Sequence, residues 1–157
     1  MEIDIVYTKE GLSAYKDDNL LFYSKGSFNF INRIVKLFND NDKLLLEVKI
    51  IDLIFIDKYK IFFQDQDLLG YNITQMDYYE MCLDRGTSIK KRYNNRIISF
   101  NWNYYYLYEQ NKIAQVKHNV KYYPILMVVN VNDENLSFVN LLLIHILLTR
   151  TNDPNDN

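Results

Sequence analysis

The chain is poor in the residues that break or staple structure. Of its 157 residues four are Gly, two are Pro and one, Cys82, is Cys. A single thiol excludes an intramolecular disulfide and any zinc site built on thiolates, and it fits a reducing, cytoplasmic compartment. Histidine is scarce too, with only His118 and His145, and there is no HExxH, Gly-rich phosphate loop or nucleophile elbow. The common signatures of catalysis are therefore missing, and neither an enzymatic activity nor a cofactor or metal is expected. Charge of one sign is not in excess: 18 Lys and Arg against 20 Asp and Glu give a net charge of -2. That excludes a global cationic field, so nucleic acid is not an expected partner. The start, Met-Glu-Ile-Asp-Ile, lacks a basic region followed by an apolar run, and a signal peptide is not expected. The longest apolar stretch, Leu136 to Leu148, spans about 20 Å as a helix, short of the roughly 30 Å core of a bilayer. No transmembrane segment is expected.

Aromatic residues are abundant, with 14 Tyr and 9 Phe. They fit a pleated, half-buried surface better than a helix. Apolar or alternating runs recur over Ile3–Tyr7, Leu20–Ile31, Arg33–Phe38, Lys43–Ile50, Leu53–Ile56, Lys58–Gln64, Leu68–Thr74, Tyr78–Leu83, Ile89–Tyr93, Arg96–Trp102, Tyr104–Tyr108, Lys112–Lys117 and Lys121–Val129. These read as strands, and polar clusters such as Asn39-Asp40-Asn41-Asp42 read as hairpin turns. So many short strands predict a sandwich or barrel. After Asn130 the pattern changes. Leu136 to Leu148 is apolar except at Ser137, Asn140 and His145, with no single polar stripe, and Asp133 or Asn135 is the expected cap. Such a helix needs burial on most sides, as inside a closed barrel. Residues 1–149 are expected to form one domain and residues 150–157 a polar, disordered tail.

Two segments look like variants of one strand-turn-strand unit, Arg33 to Val48 and Tyr104 to Val116. With the aromatic strand Lys58-Tyr-Lys-Ile-Phe-Phe63, the run Trp102 to Tyr108, the strand Ala114-Gln-Val116 and the terminal apolar helix, the chain resembles LURP-one-related proteins of the tubby C-terminal-like group. The resemblance implies a mainly β fold, a closed antiparallel barrel around a buried C-terminal hydrophobic helix. One departure is the first hairpin, where related sequences carry Gly near Asp42 and Asn41-Asp42 must supply the same backbone geometry. Residues 65–96 match least.

Barrels similar to tubby bind phosphoinositide headgroups through basic surface residues. The matching feature is Arg85, Lys90, Lys91, Arg92 and Arg96, in a region with no acidic residue from Gly86 to Tyr108. Cations near an anionic leaflet contribute about 1 kcal/mol each. Strand alternation sends Lys91 to the face opposite Lys90 and Arg92, so the five cannot share one face. The bland alternative is a solvated basic loop. Trp102 and the tyrosines at 104, 105, 106 and 108 read first as core packing. His145 reads as a neutral core residue bonded to backbone, His118 as exposed, Cys82 as packing, and Asp65 with Asp67 as loop residues. Three functional readings stay open, in this order: a cytoplasmic, peripheral binding module for an anionic phospholipid or phosphorylated ligand; a protein-interaction module with no lipid role; and last an enzyme of unrecognised type, which would need a concave pocket of converging polar groups.

Overall fold

Alternation decides which side of each strand meets the core. In β4 (Asn32–Asn39) the side chains of Arg33, Val35 and Leu37 are buried while Ile34, Lys36 and Phe38 point away. In β5 (Leu44–Asp52), which pairs with it, Leu46, Val48 and Ile50 take the inner face. The sheet has twelve strands, and the same period of two runs through most of them. The others are β1 (Glu2–Tyr7), β2 (Leu12–Lys16), β3 (Asn19–Asn29), β6 (Asp57–Gln64), β7 (Ile73–Met76), β8 (Glu80–Leu83), β9 (Ser88–Tyr93), β10 (Tyr104–Tyr108), β11 (Asn111–His118) and β12 (Ile125–Val131). In this computed structural model residues 1–29, 32–52, 57–93, 104–118 and 125–151 are described.

Every pairing is antiparallel, in the order β6-β5-β4-β3-β2-β1-β12-β11-β10-β9-β8-β7. The first and last strands of the chain therefore lie side by side, Ile3 opposite Val129, and the sheet curls round so that β6 meets β7. That seam is held by a side chain. Gln64 at the end of β6 donates from Nε2 to Ile73 O at 3.1 Å and to Asn72 Oδ1 at 2.8 Å, and its Oε1 accepts from Ile73 N at 3.0 Å. One carboxamide thus pairs with both backbone groups of Ile73, standing in for the backbone of a neighbouring strand.

The barrel is filled by α2 (Val139–Arg150), in which every residue except Asn140 is buried. Its faces show almost no segregation of apolar from polar residues, so no orientation on a barrel's outside would cover it. Leu141 to Leu143, Ile144 and Ile146 to Leu148 pack against the inward rows of the strands in one continuous core. The fold is thus mainly β, a nearly closed antiparallel barrel around a C-terminal helix, as the sequence pattern indicated. No helix among the described residues is long and apolar enough to cross a membrane.

Several details differ from the sequence reading. β2 was not expected; Leu-Ser-Ala-Tyr-Lys is short and follows Gly11, whose Cβ position would lie 2.3 Å from the Ser24 carbonyl oxygen, so only Gly lets the two chains close. Leu68–Thr74 is not one strand. Asp65 accepts from Leu68 N at 3.0 Å and caps a single helical turn, α1 (Gln66–Leu69), which Gly70 ends at φ +72° before β7 begins. Neither Asp133 nor Asn135 caps α2 by its side chain. The chain enters from a 3-10 turn, Asp133–Phe138, and Val139 N donates to Leu136 O. The helix also reaches further than expected: Arg150 is its last residue, and Thr151 is buried, its hydroxyl bonded to Ser24 Oγ at 2.6 Å. Asp42 does adopt the left-handed conformation, φ +59°, and its carboxylate accepts from Tyr23 Oη at 2.7 Å. The expected strands Leu53–Ile56 and Arg96–Trp102 lie outside the described residues.

If the Gln64 carboxamide closes the seam, Gln64→Leu keeps the size of the side chain and strands the Ile73 peptide. A loss of about 2 kcal/mol is expected by chemical denaturation, against little change if the seam were held by apolar packing alone.

Candidate functional site

Because consecutive strands are antiparallel neighbours, their connections alternate between two rims. One rim surrounds the start of α2 and the other its end. The first carries Asp17 and Asp18 between β2 and β3, Asp40 and Asp42 between β4 and β5, and Asp65 and Asp67 between β6 and β7. Asp84 follows between β8 and β9, Glu109 between β10 and β11, and Asp133 with Glu134 before α2. Ten of the 20 carboxylates of the chain sit there, against Lys43 and Arg85 in the same connections.

At the other rim, among the described residues, the connections hold Lys9, Glu10 and Asp77. Glu10 is 2.7 Å from Lys25 Nζ, and Asp77 Oδ1 accepts from the backbone of Tyr79 and Glu80. Cations converge inside this mouth. Lys91, on the inner face of β9, is fully buried, with its ammonium 3.7 Å from the centre of the Tyr78 ring, 4.4 Å from Tyr104 and 5.3 Å from Tyr93. Ring faces stabilise a desolvated cation by about 2 kcal/mol. Arg150, at the end of α2, donates from Nη1 to Tyr78 Oη at 3.1 Å and from Nη2 to His118 Nε2 at 3.3 Å. Tyr78 Oη is in turn 2.8 Å from Tyr93 Oη, and burial raises the Tyr93 pKa. Arg33 reaches across to the Thr151 carbonyl at 3.3 Å and to Asp57 at 3.6 Å. Cations thus meet the negative end of the helix.

Deeper in, His145 Nε2 lies 2.9 Å from the Asp77 carbonyl oxygen, which can only accept, so this nitrogen carries the proton. Nδ1 then accepts from Tyr106 Oη at 2.7 Å. Full burial, with the Lys91 charge nearby, lowers the His145 pKa to about 3, and burial raises that of Tyr106. Both groups stay neutral at physiological pH and tie the helix to β10 and to the β7–β8 turn. His145 is the buried, backbone-bonded residue the sequence indicated. His118 is not exposed as expected; it is half-buried against Arg150 and Tyr104, its ring 6.2 Å from that of Tyr104.

The basic run does not form one site. Lys91 faces the interior, as alternation required, and is not available to a surface ligand. Lys90 and Arg92 face outward on the same strand; Lys90 lies 3.3 Å from Glu80, whose pKa is lowered by a hydrogen bond from Ser88 and by Lys90 and Arg92. Arg85 falls in the 3-10 turn Asp84–Gly86 at the acidic rim, away from the other three. Arg96 lies outside the described residues. The companions of Lys90 and Arg92 come instead from β11. Lys117 and Lys112 are exposed on the same outer wall, and Lys112 Nζ lies 5.6 Å from the centre of the Tyr105 ring, opposite Arg92 in register. The signal was present in the alternation Ala114-Gln115-Val116-Lys117, where Ala114 and Val116 are buried.

The remaining candidates take structural places. Cys82 is half-buried on β8 and its pKa is raised, by burial first and then by Glu80 and Asp77, so its thiol is not activated. Asp65 is the α1 cap. Among the described residues no group of three His, Cys, Asp or Glu is placed to hold a metal. A cavity of about 560 Å³ at the acidic rim is lined by Tyr71, Tyr108, Phe138 and Leu141 beside Asn72 and Asp84. Comparison of the chain with family models, curated proteins and solved structures finds no match.

A His held neutral with its pKa lowered binds fewer protons than in the unfolded chain between about pH 3 and 6.5. Its contribution is therefore complete above 6.5 and is lost as pH falls toward 3. His145→Asn should be less stable than the wild type at pH 7, and the gap should narrow on acidification, by up to about 1.4 kcal/mol per pH unit. Parallel stability curves between pH 6.5 and 4 would show that His145 is not the buried neutral group described.

Proposed function

We propose that the protein is a non-enzymatic binding module that takes an anionic phospholipid surface on its outer wall, through Lys90, Arg92 and Lys117. The observation that carries this reading is the wall of β9 to β11, where these cations and Lys112 face outward, Arg92 and Lys112 flanking Tyr105, with Glu80 as the carboxylate beside Lys90. Lysines and an arginine on two strands, β9 and β11, either side of β10, rather than folded into a pocket, suit a diffuse array of headgroups better than one bidentate phosphate contact. A barrel closed around its terminal helix, the plan that the resemblance to tubby-like proteins implies, supports the reading and is the basis for keeping that kinship as a proposal. It fits a cytoplasmic protein peripheral to a membrane.

A protein-interaction role is the second reading, favoured by Phe62 and Phe63, which lie exposed side by side on β6 with Lys60 Nζ 5.5 Å from the Phe62 ring centre.

Co-sedimentation with phosphatidylserine vesicles at near-physiological salt tests the first. Changing Lys90, Arg92 and Lys117 together to Gln should weaken binding by roughly two orders of magnitude, at about 1 kcal/mol per cation, with unchanged circular dichroism. Binding equal on neutral vesicles, or indifferent to the triple change, would leave the protein-interaction reading in its place.

A further inference from the structure

Lipid binding on the wall of β9 to β11 leaves the acidic rim without a role, and this rim carries more than charge. Two clefts open on it. The larger, about 560 Å³, is lined by Tyr71, Tyr108, Phe138 and Leu141 with Gln66 and Asp84. The smaller, about 270 Å³, is lined by Leu20, Leu21, Phe22, Leu45 and Leu68 with Asn140. The short helix α1 gives Gln66 to the first and Leu68 to the second, and the start of α2 gives Leu141 to the first and Asn140 to the second, so the clefts lie on either side of these two elements. Leu68, on α1, and Leu136, in the 3-10 turn before α2, are 44% and 43% exposed on the same rim. Apolar surface open to water and rimmed by polar groups marks a docking site.

The surrounding charge selects the occupant. Of the ten rim carboxylates only Asp133 has an ion pair among the described residues, 3.6 Å from the Met1 amino group. All but Asp65 are exposed, with Lys43 and Arg85 as the cations of the same connections. Within the screening length of about 8 Å an acidic partner would be repelled by this field, whereas cations placed beside an apolar contact would complement it. The backbone selects the mode of contact. Adding a strand needs an open sheet edge, and this rim presents turns; clefts on either side of a ridge take the side chains of an amphipathic helix laid across them.

We propose that the acidic rim docks a basic amphipathic helix of a partner protein, with apolar side chains entering the two clefts and Lys and Arg facing the rim carboxylates. Lys90, Arg92 and Lys117 line neither cleft, so this surface is separate from the one assigned to lipid and does not depend on it.

The probe is a fluorescein-labelled peptide of Leu and Lys, about 18 residues long and patterned to put Leu on one face of a helix. Fluorescence anisotropy at near-physiological salt reads its binding. The same residues in scrambled order, and the same pattern with Glu for Lys, are the comparison peptides. The patterned Leu-Lys peptide should bind and the other two should not. Leu68→Gln with Leu136→Gln, and separately Asp67→Asn with Asp84→Asn, should each weaken binding about tenfold with unchanged circular dichroism. Glu10→Gln with Glu47→Gln, the same loss of charge away from the rim, should leave it unchanged. No binding of the patterned peptide, equal binding of either comparison peptide, indifference to either rim pair, or equal weakening by the Glu10 and Glu47 changes would overturn the proposal. So would a wild-type dimer in analytical ultracentrifugation that the Leu68 and Leu136 changes dissociate, since a second copy of the chain would then occupy the rim.

Discussion

A helix that is apolar on every side can be stable in water only if something surrounds it, and the rest of this structure follows from that constraint. One sheet face covers half a helix. Covering α2 completely takes a sheet that returns on itself, which is why twelve short strands in antiparallel order, with β1 and β12 adjacent, end at a seam where β6 and β7 meet. The inward rows of all these strands and the helix form a single core. Barrel and helix are therefore mutually dependent: without α2 the inner face of the barrel would line a cavity, and without the barrel the helix would expose Leu and Ile residues all round.

The polar groups of the interior then have to be satisfied in place, and they are concentrated where α2 ends. A helix C-terminus presents carbonyl oxygens and partial negative charge. Arg33 donates to the Thr151 carbonyl, Thr151 bonds to Ser24 and Leu147, and Arg150 reaches Tyr78 and His118. Lys91 sits among three tyrosine rings beside them. This cap explains why tyrosine, rather than phenylalanine, is so frequent on the inner rows: the ring fills volume and the hydroxyl serves a buried partner. It also places buried positive charge at the C-terminal end of α2, while ten of the 20 carboxylates sit in the turns around its start. An axial charge asymmetry thus arises in a chain whose net charge is close to zero.

Much of the fold was legible because it depends on local period. Alternation in Arg33 to Ile50, the Asn-Asp turn within it and the apolar run before Thr149, which has no single polar stripe, each point to one conformation, and the burial of His145 followed from its place in that run. Where local signals were weak the sequence misled. The strand Leu12–Lys16 is set by the close approach of Gly11 to Ser24, a long-range contact without a local pattern. Leu68 looks like strand but is taken into a turn of helix by the Asp65 cap. The candidate site was less legible than the fold. Alternation separated Lys91 from its neighbours, yet nothing local brought Lys117 onto the same outer wall as Arg92 or assembled the acidic rim, because both require the strand order.

The central claim is that α2 is enclosed by the barrel and cannot leave it without unfolding. Native-state hydrogen exchange of the Leu141 to Leu148 amides, measured with increasing denaturant, tests this most directly. Enclosure requires that these amides exchange only through global unfolding, with an opening free energy equal to that from equilibrium denaturation. Exchange of the helix at markedly lower free energy than the amides of β4, β5 and β12 would show that the helix departs from an intact barrel, and the account would fail.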